Sequence, residues 1–533
     1  MKTLKNIAAA FALIIILFGG CKNPAEDVEI VINTDIFKSP MLIQFMNAKK
    51  GSEGPKDFNV EIIGPNANLV VTTTGGKVFK ATSGLLNLLL DRTANPTPAS
   101  PVKFTVVVNA AGFAPTFQDV VITSAKDPRI FRVLVAEYAN PAANTGVILA
   151  TKPTSNGTAT TDLTFTTATN AGMVDKADIT VPSGTVLLDG SGQPVGGSLL
   201  EARIVHYGRN TNVPGGLAPS NVIGANGQPI VGGVKFNYAG AVSIDMFAGT
   251  KEVKGFSKPI TVDMEINSSM TNPTTMQPIK ENETIPQWSL NNQTGQWKSE
   301  GNAIIVKNTA GKLVARLQIT HLSTWNAAFE ESGTCKTKIT INRSAAELLP
   351  EFFDIYGPFG SSVLFMEKGE KTATFEVSVN SMAANIFIYS NSSINYINLN
   401  HRVLYSGVCD QSTTVTFTEI PDPVAVDVNV KFKCKGKDLL TGINAFITIT
   451  PLGSPSDEAK VYNLVNGYGK GSIVNGVTYK ILAAVDGKTY TSQFTANKTD
   501  FILPSGFDLT GTARYFSLLN QLSIEGVVTK DCN

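Results

Sequence analysis

The sequence predicts an all-β protein built from tandem β-sandwich domains. Three observations lead there. Short apolar runs recur between turn signals, as strands do. No long amphipathic helical pattern appears after the first twenty residues. The 533 residues include 46 Gly and 27 Pro but only 16% charged residues, a composition that suits exported β-domains better than a helical enzyme. A chain of this length corresponds to roughly three to five domains. With 44 basic residues against 43 acidic ones, there is no positive surplus to follow a phosphate backbone, which argues against nucleic acid as a partner. A 43% hydrophobic content argues equally against a disordered chain.

The N-terminus is a targeting segment. Lys2 and Lys5 precede a nearly unbroken apolar run over residues 7–18. At about twelve residues it is too short to span a bilayer and has the length of a secretory signal core. It ends in Leu17-Phe18-Gly19-Gly20-Cys21. Small residues directly before a cysteine resemble the lipobox of bacterial lipoproteins. The resemblance implies a signal peptide over residues 1–20, cleavage before Cys21, diacylation of its thiol, and an acylated tether over residues 21–27. Two or three acyl chains meet the requirement that stable anchoring takes more than one. Glu26 and Asp27 resemble the export tags of surface lipoproteins in the Bacteroidetes group. The implied partner is the membrane, reached through the lipid, and the implied location is the outer membrane, on its surface or its periplasmic face.

Four β-units follow. The first, 28–138, has strand-like runs at 28–32, 58–63, 69–74, 85–90, 104–108, 120–123 and 131–135. Runs of this length between turn residues point to an Ig-like or prealbumin-like sandwich. The stretch Val107-Val108-Asn109-Ala110-Ala111-Gly112-Phe113-Ala114-Pro115 resembles carboxypeptidase-regulatory-like β-domains. Small and turn residues over 140–144 and 152–158 read as a flexible or edge connection. The second and larger unit spans 160–330. It holds a strand broken by a turn at 178–188, a hairpin connection at Asp189-Gly190, and strands at 236–246 and 260–266. In the third unit, 332–420, residues 375–379 alternate cleanly, 385–390 reads as a core strand, and 345–356 is expected to form a short helix or helical turn. In the fourth, 424–533, strands are expected at 428–432, pairing with 446–449, and at 477–482. The units are expected to form a rod projecting from the membrane.

Five cysteines are an odd number. Removing Cys21 as the lipid site leaves Cys335, Cys409, Cys434 and Cys532. An exported chain meets an oxidising compartment, where cysteines pair. Of three connectivities, Cys335–Cys409 and Cys434–Cys532 are expected, because each then joins the first and last strand regions of one unit. Such a closure contributes about 4 kcal/mol in the chain-entropy account. Zinc is disfavoured, since the cysteine spacings are far from Cys-x-x-Cys and no histidine lies near them in sequence. His206, His321 and His401 show no metal-ligand spacing either, and His206, beside Tyr207, is expected to be a half-buried strand residue.

One segment carries a possible chemistry. All three tryptophans, Trp288, Trp297 and Trp325, lie in the second unit. The pattern Pro286-x-Trp288, Gly295-x-Trp297-x-x-x-Gly301, then His321-Leu322-Ser323-Thr324-Trp325-Asn326 resembles cartilage intermediate layer protein. It also resembles the proteolysis-site motif that ends the GAIN domain of adhesion receptors. The second resemblance implies self-cleavage between Leu322 and Ser323, with His321 as base and the Ser323 hydroxyl as nucleophile. A weak hydroxyl nucleophile needs an adjacent base, and a neutral imidazole supplies one near pH 7. The family braces this hairpin with two disulfides, whose positions correspond here to Ile285, Asn302, Leu317 and Ile319. None is cysteine. The alternative is that His321 and Trp325 fix a terminal strand by packing and hydrogen bonding.

No Gly-x-Ser-x-Gly elbow, His-Glu-x-x-His pair or phosphate loop is present. The expected function is therefore that of a membrane-anchored, exported lipoprotein with a structural, adhesive or binding role. It is not expected to be an enzyme, and neither cofactor nor metal is expected. Two alternatives are the self-cleaving β-module and an accessory glycan-binding lipoprotein of an outer-membrane uptake system. Phe113, Tyr356, Phe359 and Tyr389 are candidate platforms for a glycan, although core packing explains each of them too.

Overall fold

A computed structural model describes residues 38–49, 51–73, 75–125, 129–169, 175–208, 219, 221–230, 233–266, 270–331, 335–343, 351–357, 360–367, 369–379, 385–390, 401–404, 412–417, 423–436, 440–442, 445–454, 459–485 and 488–530. Cys21 and the signal segment, the run 28–32, Phe359, Cys409 and Cys532 lie outside the described residues. The fold is all-β, with 3-10 turns as the helical elements among the described residues.

The first unit contains β1 (Lys38–Asn47), β2 (Phe58–Ile63), β3 (Val70–Val71), β4 (Phe79–Ala81), β5 (Leu85–Leu90), β6 (Val102–Val108), β7 (Thr116–Ile122) and β8 (Arg129–Val135). They form two four-stranded sheets, β3-β5-β1-β8 and β4-β2-β6-β7, which enclose Ile43, Phe45, Leu88, Val106 and Val133. Fully burying such side chains stabilises by about 1.5–3 kcal/mol each. β1 runs parallel to β8, from Met41↔Arg129 to Asn47↔Val135, so the first and last described strands of the unit lie side by side.

The second unit contains β9 (Thr145–Pro153), β10 (Leu163–Thr166), β11 (Ala177–Val181), β12 (Leu187–Leu188), β13 (Leu199–Gly208), β14 (Val222–Ile223), β15 (Lys235–Ala248), β16 (Lys251–Val253), β17 (Gly255–Glu265), β18 (Thr271–Asn272), β19 (Gln277–Pro278), β20 (Thr284–Asn291), β21 (Gln296–Lys307), β22 (Leu313–His321) and β23 (Thr324–Glu331). Its main sheet runs β10-β11-β17-β22-β21-β20-β23-β15-β13-β9. The long β21 pairs with β20 along one stretch and with β22 along the next, both meeting it at Ile304. One face of the sheet covers a core holding Phe165, Ile204, Val262, Leu317 and Trp325. β9 lies between the two stretches read as a connection, overlapping the second at Lys152 and Pro153, and it is an edge strand of this sheet, paired with β13.

The third unit contains β24 (Cys335–Arg343), β25 (Glu351–Gly357), β26 (Gly360–Met366), β27 (Thr372–Val379), β28 (Asn385–Ser390), β29 (His401–Leu404) and β30 (Ser412–Phe417), in sheets β27-β24-β30 and β26-β25-β28-β29. The expected helix over 345–356 is corrected here. Residues 345–350 lie outside the described ones, and β25 is a strand paired with both β26 and β28. The local run Phe352-Phe353-Asp354-Ile355-Tyr356 favours strand, and Phe353 is buried against Phe417, ring centres 4.9 Å apart.

The fourth unit contains β31 (Pro423–Cys434), β32 (Leu440–Gly442), β33 (Ala445–Pro451), β34 (Lys460–Leu464), β35 (Tyr468–Val474), β36 (Thr478–Val485), β37 (Lys488–Thr495), β38 (Phe501–Ile502), β39 (Leu509–Phe516) and β40 (Gln521–Lys530). The expected pairing of 428–432 with 446–449 is also corrected. β31 pairs with β32, β35 and β40, whereas β33 lies in the opposite sheet, β34-β33-β36-β37. The two strands face each other across the core, where Val428 and Val430 meet Ile447 and Ile449. A two-residue hairpin joins β34 to β35. Asn466 and Gly467 both take positive φ, the requirement of the tight turn that fits strand twist. A Cβ on Gly467 would stand 2.3 Å from the Val430 carbonyl oxygen.

The first and fourth units touch, which revises the expectation of an extended rod. Leu42 and Leu85 of the first form a buried cluster with Phe446, Leu482 and Ala484 of the fourth. The Asn87 amide donates to the Ala484 carbonyl across the same contact.

Candidate functional site

The segment singled out for possible chemistry sits where β22 passes into β23. His321 ends β22 and Thr324 begins β23, and the two strands lie in different parts of the main sheet. The crossing peptides are held by backbone hydrogen bonds. Leu322 N–H donates to the Lys254 carbonyl at 2.9 Å, and the Ser323 carbonyl accepts from Ile244 N–H at 3.2 Å. The Leu322 side chain enters the core.

The side chains continue the bracing. Trp325 donates its indole N–H to the His321 carbonyl at 3.3 Å, and the two rings lie 4.8 Å apart. His321 is half-buried, and that burial holds its imidazole below the usual histidine range, with Glu300 acting the other way. Glu300 is itself engaged by Ser289 at 3.0 Å and by Lys298 at 3.1 Å. Ser323 is buried, and its hydroxyl donates to the Leu290 carbonyl, with Asn292 Oδ1 at 3.5 Å.

An N→O acyl shift needs the Ser323 hydroxyl aimed at the Leu322 carbonyl and its proton passed to a base. Here the hydroxyl is directed into β20. Neither Leu322 nor Ser323 has positive φ, so that form of backbone strain is absent at the bond. Of the four positions where the family's bracing cysteines would fall, Ile285, Leu317 and Ile319 are buried apolar residues of the core, while Asn302 is exposed. The mature chain is expected to run as a single band on a denaturing gel. Two fragments meeting at Leu322–Ser323, and lost in Ser323→Ala, would show that this corner reaches a reactive geometry.

Trp288 and Trp297 do different work from Trp325. Both are fully buried, each packs against Phe236, at 5.0 and 5.5 Å, and Trp288 donates its indole N–H to the Ala328 carbonyl at 3.1 Å. Their cluster includes Val107, Ala114, Phe117 and Ala136 of the first unit. They form the joint between the first and second units. The β20–β21 turn closes the same joint, where a Cβ on Gly295 would lie 2.9 Å from Thr105.

A half-buried carboxylate lies beside that joint. Asp245 on β15 accepts a hydrogen bond from Tyr138, just after β8, and burial pushes its carboxyl up to about 6. Arg203 stands opposite Asp245 in the β13–β15 register and covers the Phe247 ring at 4.7 Å.

Of the candidate glycan platforms, Phe113 packs half-buried against the first core. The side chains of Tyr356 and Tyr389, like Phe359, lie outside what is described. The structure presents another apolar surface that sequence reasoning missed. In the β39–β40 turn, Leu518 is 100% exposed, Leu519 68% and Phe516 47%. The turn is built firmly. Asn520 takes a left-handed conformation, Tyr515 Oη donates to Asn520 Oδ1 at 2.9 Å, Tyr515 N–H donates to Asp500 at 2.8 Å, and the Asn520 carbonyl accepts from Ala425 N–H at 3.1 Å. The available signal was the Phe-Ser-Leu-Leu run itself, which breaks the alternation of β39 exactly where a turn must be. A cleft of about 160 Å³ also lies between the first and fourth units, with Gln44 and Lys56 on one wall and Thr448, Thr450 and Lys480 on the other.

Among the described residues no group of three or more His, Cys, Asp or Glu side chains is placed to hold a metal ion. No helix among them is long and apolar enough to cross a membrane.

No protein-family model matches the chain, and no curated protein matches it. Solved structures align with it loosely. The Bacillus anthracis TIE protein is 10% identical, covering 72% of this chain and 57% of its own, with a TM-score of 0.15. BcpA, the major pilin subunit of Bacillus cereus, is 8% identical, covering 92% of this chain and 99% of its own, with a TM-score of 0.13. The pilus adhesin SpaC from Lactobacillus rhamnosus GG is 10% identical, covering 93% of this chain and 57% of its own, with a TM-score of 0.15. The chain thus spans 57% of the length of the TIE protein. Alignments at these scores carry no argument about activity or partners.

Proposed function

We propose that the chain is an exported lipoprotein, anchored through Cys21, with a structural, adhesive or binding role rather than a catalytic one. The observation that carries the binding role is the braced apolar turn at Phe516, Leu518 and Leu519. Exposed apolar side chains gathered on a rigid support are a feature of contact surfaces. The groups that suggested chemistry, His321 and Ser323, are engaged in holding the β22–β23 crossing. The anchoring part rests on Gly19-Gly20-Cys21 following the apolar run.

The test has two arms. Cells expressing the full chain are fed an alkyne-bearing fatty acid. The wild-type protein should take up the label and sediment with membranes, and Cys21→Ala should do neither; an unlabelled wild-type chain overturns the anchoring. The mature chain is then applied to a glycan array and to immobilised cell-envelope material. Retention that is lost when Leu518 and Leu519 are both changed to Asp assigns the contact to the turn. Retention unaffected by that change places it elsewhere, and retention on glycans alone favours the accessory glycan-binding reading.

The disulfide assignment belongs to the same proposal. Cys434 is disulfide-bonded, and β31 places it opposite Lys530 in a parallel ladder, two residues before Cys532 in sequence. β24 sets Lys338 against Ser412, and the same offset relates Cys335 to Cys409. These relations support Cys335–Cys409 and Cys434–Cys532. Peptide mapping without reduction should recover both cross-linked pairs, and any other pairing overturns the assignment.

A further inference from the structure

His206 was expected to be half-buried, and it is instead completely enclosed, with 0% exposure. It lies on β13 between Gly146 of β9 and Val242 of β15, and Trp325 of β23 continues the row beyond Val242. Neither of its ring nitrogens has a hydrogen-bond partner. Its Nε2 lies only 3.1 Å from where a Cβ on Gly240 would be, so the ring rests over a glycine. Gly240 follows an irregularity in β15, where the pairing with β23 shifts between Tyr238 and Gly240. Bulges of this kind are commonly retained for a purpose.

Other polar side chains share this end of the core. Gly240 stands opposite both Gly208 and Ala327, and Ala327 stands opposite Gln287. Gln287 Oε1 and, on β15, Asn237 Oδ1 are also buried without a partner. A floor of two glycines and an alanine thus carries several under-satisfied polar groups, an arrangement that is costly in a low-dielectric interior.

Among the described residues of the strands beside it, nothing would balance a charge on the imidazole. β9 offers Gly146, β15 offers Gly240 and Val242, and β23 offers Trp325 and Ala327. The nearest ionisable groups on its own strand, Arg203 and Tyr207, alternate to the opposite face, as does Asp245 on β15. On β22, His321 contacts the same Trp325 ring, and its own protonation would add like charge.

We propose that His206 is an acid trigger built into the second unit, in which proton uptake by its imidazole opens the seam between β13 and β15. An ionised group without a partner is not tolerated in such an interior, so the proton enters only as the strands part. Burial alone holds the imidazole down to about 4, against 6.5 for the free side chain. The sign follows: stability from neutral His206 is complete above about pH 6.5 and is lost as pH falls toward 4. An exported chain meets the acidity of its surroundings directly, and this unit is where it would respond.

The three tryptophans all lie in the second unit, so their fluorescence reports on it selectively. The full mature chain is titrated from pH 7 to pH 3. The wild type should lose its buried-tryptophan signal in an acid transition, and His206→Gln should move the midpoint down by about one pH unit. His401→Gln, in the third unit, should leave it in place. Equal midpoints for wild type and His206→Gln overturn the proposal. Should His206→Gln fail to fold, amide hydrogen exchange of the wild type decides the matter. Corrected protection in β13 and β15 should fall between pH 6.5 and 4.5 while β31 and β40 stay protected; equal behaviour of the two pairs overturns the proposal.

Discussion

Trp288→Ala is expected to destabilise the protein by about 3–5 kcal/mol, the usual cost of removing a large aromatic from a closed core. The residue is fully buried, packs at a tilt against Phe236 and holds the Ala328 carbonyl. Its cluster draws on two units, so the loss should have two signatures. Thermal unfolding of the second unit should begin earlier, and proteases should gain access to the 139–144 connection at temperatures where the wild type resists. A melt within about 1 kcal/mol of wild type, with unchanged protease resistance, would show that the joint does not depend on this ring. Trp288→Phe should recover much of the loss, because it keeps the aromatic contact and gives up only the hydrogen bond.

Asp245→Asn is expected to stabilise the protein at neutral and alkaline pH by about 1–3 kcal/mol, taking 1.36 kcal/mol for each pKa unit as an upper measure. The folded protein raises the carboxyl from 3.8 to about 6, so it binds the proton more tightly than the unfolded chain does. The penalty is absent below about pH 4, grows as pH rises through 6 and is constant above. The variant's stability curve should therefore meet the wild type's near pH 4 and lie above it at pH 7–8. Parallel curves across that range would show that Asp245 is not held in a desolvated setting. Asparagine can still accept the Tyr138 hydrogen bond, so the comparison isolates the charge.

These two groups show what was legible in the chain and what was not. β5 and β28 fall where short apolar runs between turn residues placed them, over 85–90 and 385–390. β1 was not anticipated. Its sequence, Lys-Ser-Pro-Met-Leu-Ile-Gln-Phe-Met-Asn, does not alternate because one face meets its own core and the other meets the fourth unit: Ile43 and Phe45 belong to the first cluster, Leu42 to the second. The same double burial explains the run Leu-Leu-Asn-Leu-Leu-Leu in β5, whose Asn87 reaches Ala484. A strand covered on both faces reads as continuously apolar, and that was the sequence signal for the contact between units. The helix expected over 345–356 came from Ala345, Ala346, Glu347, Leu348 and Leu349, good helix formers. Pro350 closes that run, and strand formers follow it.

At the candidate site, the sequence could set His321, Ser323 and Trp325 in one short segment but could not give their engagements. The three occupy one strand crossing. Whether a hydroxyl aims at its own carbonyl or at a neighbour depends on register across distant strands, here Leu290 opposite Thr324, which no local pattern encodes. The environment of His206 was hidden for the same reason. Its burial is set by Gly146 and Gly240, each far away in sequence and adjacent only through pairing.

Three of the four units share the arrangement first met in β1 and β8, in which the first described strand lies parallel to the last; β24 with β30 and β31 with β40 repeat it. When a tethered unit is pulled by its two ends, parallel outer strands are drawn past one another lengthwise. Tension then falls on the whole row of ladder hydrogen bonds together instead of peeling them singly. The row in the fourth unit is long, from Ala425↔Gln521 to Cys434↔Lys530. Once the proposed Cys335–Cys409 and Cys434–Cys532 bridges are reduced, so that the load is no longer carried covalently between the outer strands, a force-extension record should show these units giving way in abrupt steps.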